Sequence, residues 1–445
     1  MNKDLESTKM HLPKFSSKII LVSIFLIAVS FCLSACTFPF GQTKKEVTLT
    51  WWGLWESPEV IKPVIDKYQS QNPNVKINYQ KQNSNQYLQR LKSKIGEEGT
   101  PDIFSFHNTW VPQLTKELSI LPTSVMGKDT YQKTFYKVAS TDLAASSGYV
   151  GIPLMYDGLG LYWNKDIFQA AGIDSPPKTW DDLRTIAAKL TVKDKDNKIK
   201  TAGVAMGTTN NVDHFSDILG LMMLQNGVSD LGNPQGKLAS DALDFYVAFA
   251  KNPENKVWDD TLPPSTVAFA SGQLAMYFGP SWEVFEIKKA NPNLNFAIAQ
   301  VPQLPGSQVA WSSYWVEGVS QKSPNQLEAW KFLKFLSEKE QLEILYKSAS
   351  SSQDRLFGEP YPRQDMASLL ENDPLVGAYI KDAPNAHSWY LASQTHDGPD
   401  GLNEQVISAY KWAIDNLATQ SSQNVVKDLA IKLNGILTKF GIAQK

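Results

Sequence analysis

Cysteine is almost missing from this chain. Its 445 residues hold only Cys32 and Cys36, both ahead of the globular part, so a disulfide framework is excluded and stability must come from burial, which a chain of this length can supply. Histidine is scarce too. Of five residues, His11 lies near the start, and His387 and His396 are too separated to predict a metal, so no metal or cofactor is expected. Neither sign of charge is in excess: the formal net charge is −2. Residues 1–35 contribute Lys3, Lys9, Lys14 and Lys18 against Asp4 and Glu6, which leaves 39 basic and 43 acidic side chains beyond them. A mildly acidic surface gives no electrostatic reason to hold nucleic acid. Catalytic signatures of the G-x-S-x-G and H-E-x-x-H kind are absent. GNPQGK (232–237) has too short a glycine spacing for a phosphate loop, and DKDN (194–197) lacks the glycine and terminal Glu of a calcium loop, so it reads as a solvated turn.

Long apolar runs are confined to one place, Ile19 to Phe31, preceded by Lys14 and Lys18 and followed by LSAC ending at Cys36. That length, with basic residues before it and small ones behind, predicts an export leader over 1–35 rather than a membrane span. LSAC resembles the bacterial lipobox, which makes Cys36 the expected lipidated first residue of the mature chain, anchored to the outer face of the cell membrane. A polar tether, 36–45, follows.

Beyond the tether the composition is globular, with 42% hydrophobic and 20% charged residues. VTLTWW alternates like a strand. Val60, Ile61, Val64, Ile65 and Tyr68 recur at helical spacing, VKINYQ alternates again, Tyr87, Leu88, Leu91 and Ile95 mark a second helix, and TPDIFSF a third strand. Strand, helix, strand, helix, strand at this spacing predicts a parallel sheet with crossover helices. Ligands of such sheets bind beyond the carboxyl ends of the strands, where WWGLWE (51–56) and FSFHNTW (104–110) lie. Further on, LGLYWN reads as a strand, NKDIFQAAG as a helix closed by Gly172, and Thr179 with Asp182 as a capping box. QLEAWKFLKFLSEKEQLEILYK reads as one apolar helix with Leu327, Trp330, Leu333, Leu336 and Leu342 on one side. The C-terminus from Asn403 is mostly helical.

Several segments together carry a family likeness. LSAC, TPDIF (100–104), IPLMYDGLGLYWNKDIFQAAGI (152–173) with PPKTWDDL, FASGQLAMYFGPSW (269–282) and EAWKFLKFLSEKEQ (328–341) come in one order. In that order they resemble the extracellular solute-binding proteins of ABC importers, specifically the sugar-binding group that includes maltodextrin-binding proteins. The resemblance implies an α/β fold of the two-lobed periplasmic-binding-protein type (class II), with mixed sheets flanked by helices and a hinged cleft between the lobes. It implies a first lobe of 46–155 plus 317–362, a second of 156–316 plus 363–445, and hinges near Pro153 to Asp157 and Trp315 to Gly318. It further implies a monomer that binds a carbohydrate, delivers it to permease subunits and is not an enzyme.

A sugar presents apolar C–H faces and a ring of hydroxyls, so its site needs aromatic planes with carboxylates and amides at their edges. In an extended strand Trp51 and Trp52 face opposite sides, and Trp51 is expected in the core. The residues expected at ligand are Trp52, Trp55 and Glu56 from the first loop, Phe106, His107, Asn108 and Trp110 from the second, Asp157 at the hinge, Asp213 beside His214, Trp282 after FGPS, Trp311, Tyr314, Trp315 and Glu317 from WSSYWVEG, and Trp389 beside Tyr390. For each aromatic, core packing is the competing role. Trp55 and the absence of a charged pair near Thr109 and Trp110 depart from the maltodextrin pattern and point to a different sugar. Two alternatives stay open: a non-sugar solute such as glycerol phosphate, iron or a polyamine, and an exported glycosidase with two carboxylates across a scissile bond. Against a phosphate ligand, WWGLWE and FSFHNTW contain no Arg or Lys.

Overall fold

The alternation of VTLTWW builds a half-buried strand: Leu49 and Trp51 are buried while Thr48 faces solvent. In the computed structural model, which describes residues 45–97, 100–251, 256–352 and 355–442, this is β1 (Val47–Gly53). The leader, Cys36 and most of the tether lie outside the described residues. Among the described residues no helix is long and apolar enough to cross a membrane.

β2 (Val75–Lys81) and β3 (Ile103–His107) lie on either side of β1 and parallel to it, as the crossover helices Pro58–Gln71 and Tyr87–Lys94 require. β4 (Ile152–Pro153) completes the first excursion. The chain then builds a second sheet from β5 (Gly160–Asn164), β6 (Val192–Lys193), β7 (Ile199–Val204), β8 (Leu274–Gly279) and β9 (Phe296–Ala299), in the order β6-β7-β8-β5-β9. After β10 (Ala310–Trp311) it returns: β11 (Trp315–Val319) inserts between β3 and β4, antiparallel to both. β12 (Ala386–His387) pairs with β10. The first sheet therefore draws on residues 47–153 and 315–319, and the mixed strand directions follow from that return.

The capping box forms as expected, with Thr179 Oγ1 accepting from Asp182 N and the Asp182 carboxylate from Thr179 N. Gly172, at φ +67°, closes the short helix Lys165–Ala170. DKDN is the turn between β6 and β7, where the Asp194 carboxylate accepts from the backbone N–H groups of Asp196 and Lys198. One expectation fails. QLEAWKFLKFLSEKEQLEILYK is two helices, Gln326–Leu336 and Lys339–Ser350. Ser337 Oγ donates back to the Lys334 carbonyl, Arg363 takes the Ser337 carbonyl at 2.9 Å, and Glu338 is extended. The extended backbone at Glu338 ends the first helix and makes Glu338 the N-cap of the second. Trp330, Leu333, Leu336 and Leu342 are buried, but Leu327 is exposed.

Candidate ligand-binding cleft

Loops at strand ends converge on one large cavity of about 440 Å³. Trp55 enters from the turn after β1, His107 from the end of β3, Trp315 from the start of β11, where it pairs with His107, and Asp157 from the segment after β4. Pro280 and Trp282 follow β8, and His214 precedes the helix Phe215–Gln225. Both sheets thus contribute to one wall system.

The aromatic part is ordered by edge-to-face packing. The Trp315 ring lies 5.1 Å from Trp55, 5.2 Å from Trp110 and 5.3 Å from His107, with interplanar angles of 70° to 81°. Trp110 is fully buried and holds Trp315 from behind, while Trp55 keeps 37% of its surface open. Trp282 stands on the other side, 6.5 Å from the His214 ring. Three indoles from separated segments therefore border the cavity.

The polar lining is acid-rich, and its charges are held. Asp157 accepts from Gly158 N (2.8 Å), Ser281 N (3.0 Å) and Ser281 Oγ (3.0 Å); burial nevertheless pushes its carboxyl up to about 7. His214 sits between Glu283 Oε1 and Ser393 Oγ, each at 2.8 Å, with Asp217 Oδ2 at 3.6 Å. Burial opposes its charge, but Glu283 and Asp217 outweigh that and hold the imidazole protonated up to about 10. His107 has no such partner. Its ring nitrogens meet Thr109 Oγ1 and Ser313 Oγ, and burial lowers it to about 3, so it stays neutral. Arg355 pairs with Glu56 (3.2 Å) and Glu359 (2.8 Å), and its guanidinium lies 4.9 Å from the Phe285 ring. Burial, with Glu359 adding to it, raises Glu56 to about 7 against the pull of Arg355.

Of the residues expected at ligand, the cavity wall contains Trp55, His107, Asp157, Trp282 and Trp315, together with His214. The others lie elsewhere. Trp52 is turned to the opposite face of β1, where its Nε1 donates to Gln80. Phe106 is buried against Gly151 and Gly318. Asn108 and Tyr314 both bond Asp142 behind the wall. Asp213 accepts from Ser265 and Thr266. Trp311 is buried, its indole against Gly220 and its Nε1 donating to Asp217. Trp389 packs on Tyr390 and Tyr410. The wall also includes Phe285, Glu286, Arg355, Glu359, Ser393, Gln394 and His396, none expected from sequence. Gln394 and His396 adopt positive φ (59° and 58°), an uncommon backbone that gathers at ligand sites, but no glycine marks it. Arg355 also means that the cleft holds a cation, though one already matched by two carboxylates.

A smaller pocket of about 70 Å³ opens beside Trp55, Met155, Trp315 and Glu359, which line both spaces. Glu56 and Glu317 line it. Glu317 accepts from Trp51 Nε1 at 2.8 Å and Ser105 Oγ at 2.6 Å, and burial pushes its carboxyl up to about 8. Among the described residues no group of three or more His, Cys, Asp or Glu is placed to hold a metal.

The chain is similar to known binding proteins over most of its length. A Brucella abortus protein named as a binding protein is 24% identical over 386 residues, 84% of this chain and 88% of that one. A maltooligosaccharide ABC transporter solute-binding lipoprotein of Streptococcus pneumoniae is 26% identical over 329 residues, 69% of this chain and 71% of that one. Among solved structures, the cyclic α-maltosyl-1,6-maltose binding protein of Arthrobacter globiformis superposes with a TM-score of 0.71 at 19% identity, over 88% of this chain and all of that one. That likeness shows the two-lobed α/β fold. Residues 64–352 match the model of the bacterial extracellular solute-binding proteins, and the chain belongs to that family.

Proposed function

We propose that this protein captures a sugar, as a mono- or oligosaccharide, outside the cell membrane and delivers it to the permease of an ABC importer, without catalysis of its own. The observation that carries the reading is the cavity bordered by Trp55, Trp282 and Trp315 with Asp157 and Glu286 in its wall. Indole planes cover the C–H faces of a pyranose, and carboxylates accept from its hydroxyls. The names of the pneumococcal and Arthrobacter relatives agree with a carbohydrate ligand.

The two lobes are proposed as 46–155 with 317–362 and 156–316 with 363–445, the two residues Trp315 and Val316 moving with the first sheet because they pair with His107 and Phe106. A ligand that touches both lobes stabilises the closed arrangement, and a permease reads closure as occupancy. The mature chain is proposed to be a monomer tethered through lipid on Cys36, consistent with the lipoprotein named among its relatives.

Calorimetry against a panel of oligosaccharides tests the reading. Saturable binding of at least one sugar is expected; binding of spermidine or glycerol phosphate with no sugar bound sinks it. A reducing-end assay after incubation with the bound oligosaccharide is expected to stay flat, and mass spectrometry of the N-terminal peptide is expected to find lipid on Cys36.

A further inference from the structure

We infer that Ser313 is a specificity-determining residue of the cleft: buried hydrogen bonds relayed through Thr109 and His107 turn its hydroxyl into an acceptor, which takes a hydrogen bond from a hydroxyl of the sugar. The inference rests on the proposed sugar-binding reading and names one contact within it. Ser313 borders the cavity, as do His107 and Trp315, and is only partly buried. Its backbone N–H is tied to the Asp157 carbonyl at 3.1 Å. Among the described residues the partner of its Oγ is His107 Nε2, at 3.0 Å.

The direction of that bond is set at Asn403, which is fully buried and turns its side-chain nitrogen to the Ala392 carbonyl at 3.3 Å. A carbonyl can only accept, so the amide oxygen is the atom facing Thr109, whose Oγ1 lies 2.9 Å from it. Thr109 therefore gives its single hydroxyl hydrogen to Asn403. The same Oγ1 lies 2.8 Å from His107 Nδ1 and can there only accept, so Nδ1 carries the proton. A neutral, buried imidazole has one N–H. Nε2 is thus bare, Ser313 donates to it, and the lone pairs of the Ser313 oxygen remain for ligand. The Thr109 N–H approaches Nδ1 as well, at 3.3 Å, and favours the other tautomer. That tautomer would leave two acceptors, Thr109 Oγ1 and Asn403 Oδ1, 2.9 Å apart with no hydrogen between them. Two short contacts outweigh one long one. A free sugar hydroxyl can donate to such an oxygen, whereas an ether or carbonyl oxygen in its place would meet it lone pair to lone pair.

Long-range 1H–15N correlation spectra of the histidine-labelled protein test the relay, with the His107 signals assigned by their loss in His107→Gln. His107 is expected as the Nδ1–H tautomer. Calorimetry with a panel that includes maltotriose, cellotriose and mannotriose tests the contact. Ser313→Ala is expected to weaken the best-bound sugar about three- to tenfold, the worth of one neutral hydrogen bond, with a thermal midpoint close to native. Thr109→Val keeps the side chain's shape, removes its hydroxyl and lies outside the cavity wall. It is expected to move the proton to Nε2, because Nδ1 is then free to accept from the residue 109 N–H, and to weaken the same sugar by a similar factor. Should that variant fail to fold, the tautomer of the native protein and the Ser313→Ala titration decide. An Nε2–H tautomer in the native protein overturns the inference, as does unchanged affinity in Ser313→Ala, and in both cases the sugar reading stands. If no sugar of the panel binds, the sugar reading falls and the contact falls with it.

Discussion

The Trp51 indole donates to Glu317 across β3, over 2.8 Å and 266 positions of sequence, while Ser105 of β3 donates to the other carboxylate oxygen. Three strands are thereby joined at the end that faces the cleft. The contact divides the work of WWGLWE. Trp51 is buried with Tyr79 and Phe332 against it, Trp52 lies on the opposite face, and only Trp55 reaches the cavity.

Glu317 makes stability depend on pH. Its pKa of about 8 in the folded chain lies above the ordinary value of 4.5, so between those values the folded state keeps a proton that the unfolded state has lost. Stability falls as pH rises from 4.5 through about 8. Glu317→Gln, whose amide keeps both Trp51 and Ser105 partnered, is expected to lose that slope, gaining on the native protein between pH 5 and 9 in urea midpoints. Parallel curves for the two proteins would refute the assignment.

His214 has the opposite charge and a larger role. Held up to about 10 by Glu283 and Asp217, it contributes stability that is complete below its unfolded value of 6.5 and is lost as pH rises through about 10. His214→Leu removes the counter-charge of two buried carboxylates, Glu283 and Asp217, and is expected to cost about 3–5 kcal/mol at pH 7, measured by urea denaturation. A cost under about 1 kcal/mol would mean that the imidazole is neutral.

Trp282 borders the cavity and is only half-buried, so Trp282→Ala is expected to remove about 1.5–3 kcal/mol of sugar affinity, roughly ten- to a hundredfold, with little change in thermal midpoint. Trp315→Ala is expected to lower both affinity and stability, since Trp315 also packs on Trp110 and His107. Titrations of the two variants followed by calorimetry and melting curves separate the roles.

Gly220 lies within the helix Phe215–Gln225, and a Cβ there would meet the Trp311 ring at 2.4 Å. Gly220→Ala improves helix propensity but drives the indole off its hydrogen bond to Asp217. A net loss of about 1–3 kcal/mol is expected in denaturant unfolding; a stabilised variant would show that the ring has room to move.

Arg355 links Glu56 and Glu359 and covers the Phe285 ring, which also packs on Phe357 at 4.6 Å. Arg355→Lys cannot reproduce a forked, stacked guanidinium. It is expected to weaken sugar binding about tenfold at low salt, read by calorimetry, and unchanged affinity would confine Arg355 to the fold.

The strands and helices of the first sheet, the capping box at Thr179 and the placing of Trp55, His107, Asp157, Trp282 and Trp315 at strand ends or in the turns beside them are all local, set by alternation, helical spacing and turn chemistry within a few residues, and so they are legible in the sequence. The break at Ser337 is not, because no Gly or Pro marks it, and Arg363, which bonds the Ser337 carbonyl there, lies 26 positions away. Nor are Arg355, Ser393 and His396 legible as cleft residues: each becomes one only when chain returns from far downstream carry it to the ends of β1 and β3. Likewise Trp311 and Trp110 read as freely as any other indole until packing buries them. Sequence by itself determined which elements form and which aromatic and acidic side chains are available, because those depend on neighbours along the chain. The tertiary structure alone decided which of them share one cavity and which charges neutralise one another, because both depend on proximity in space.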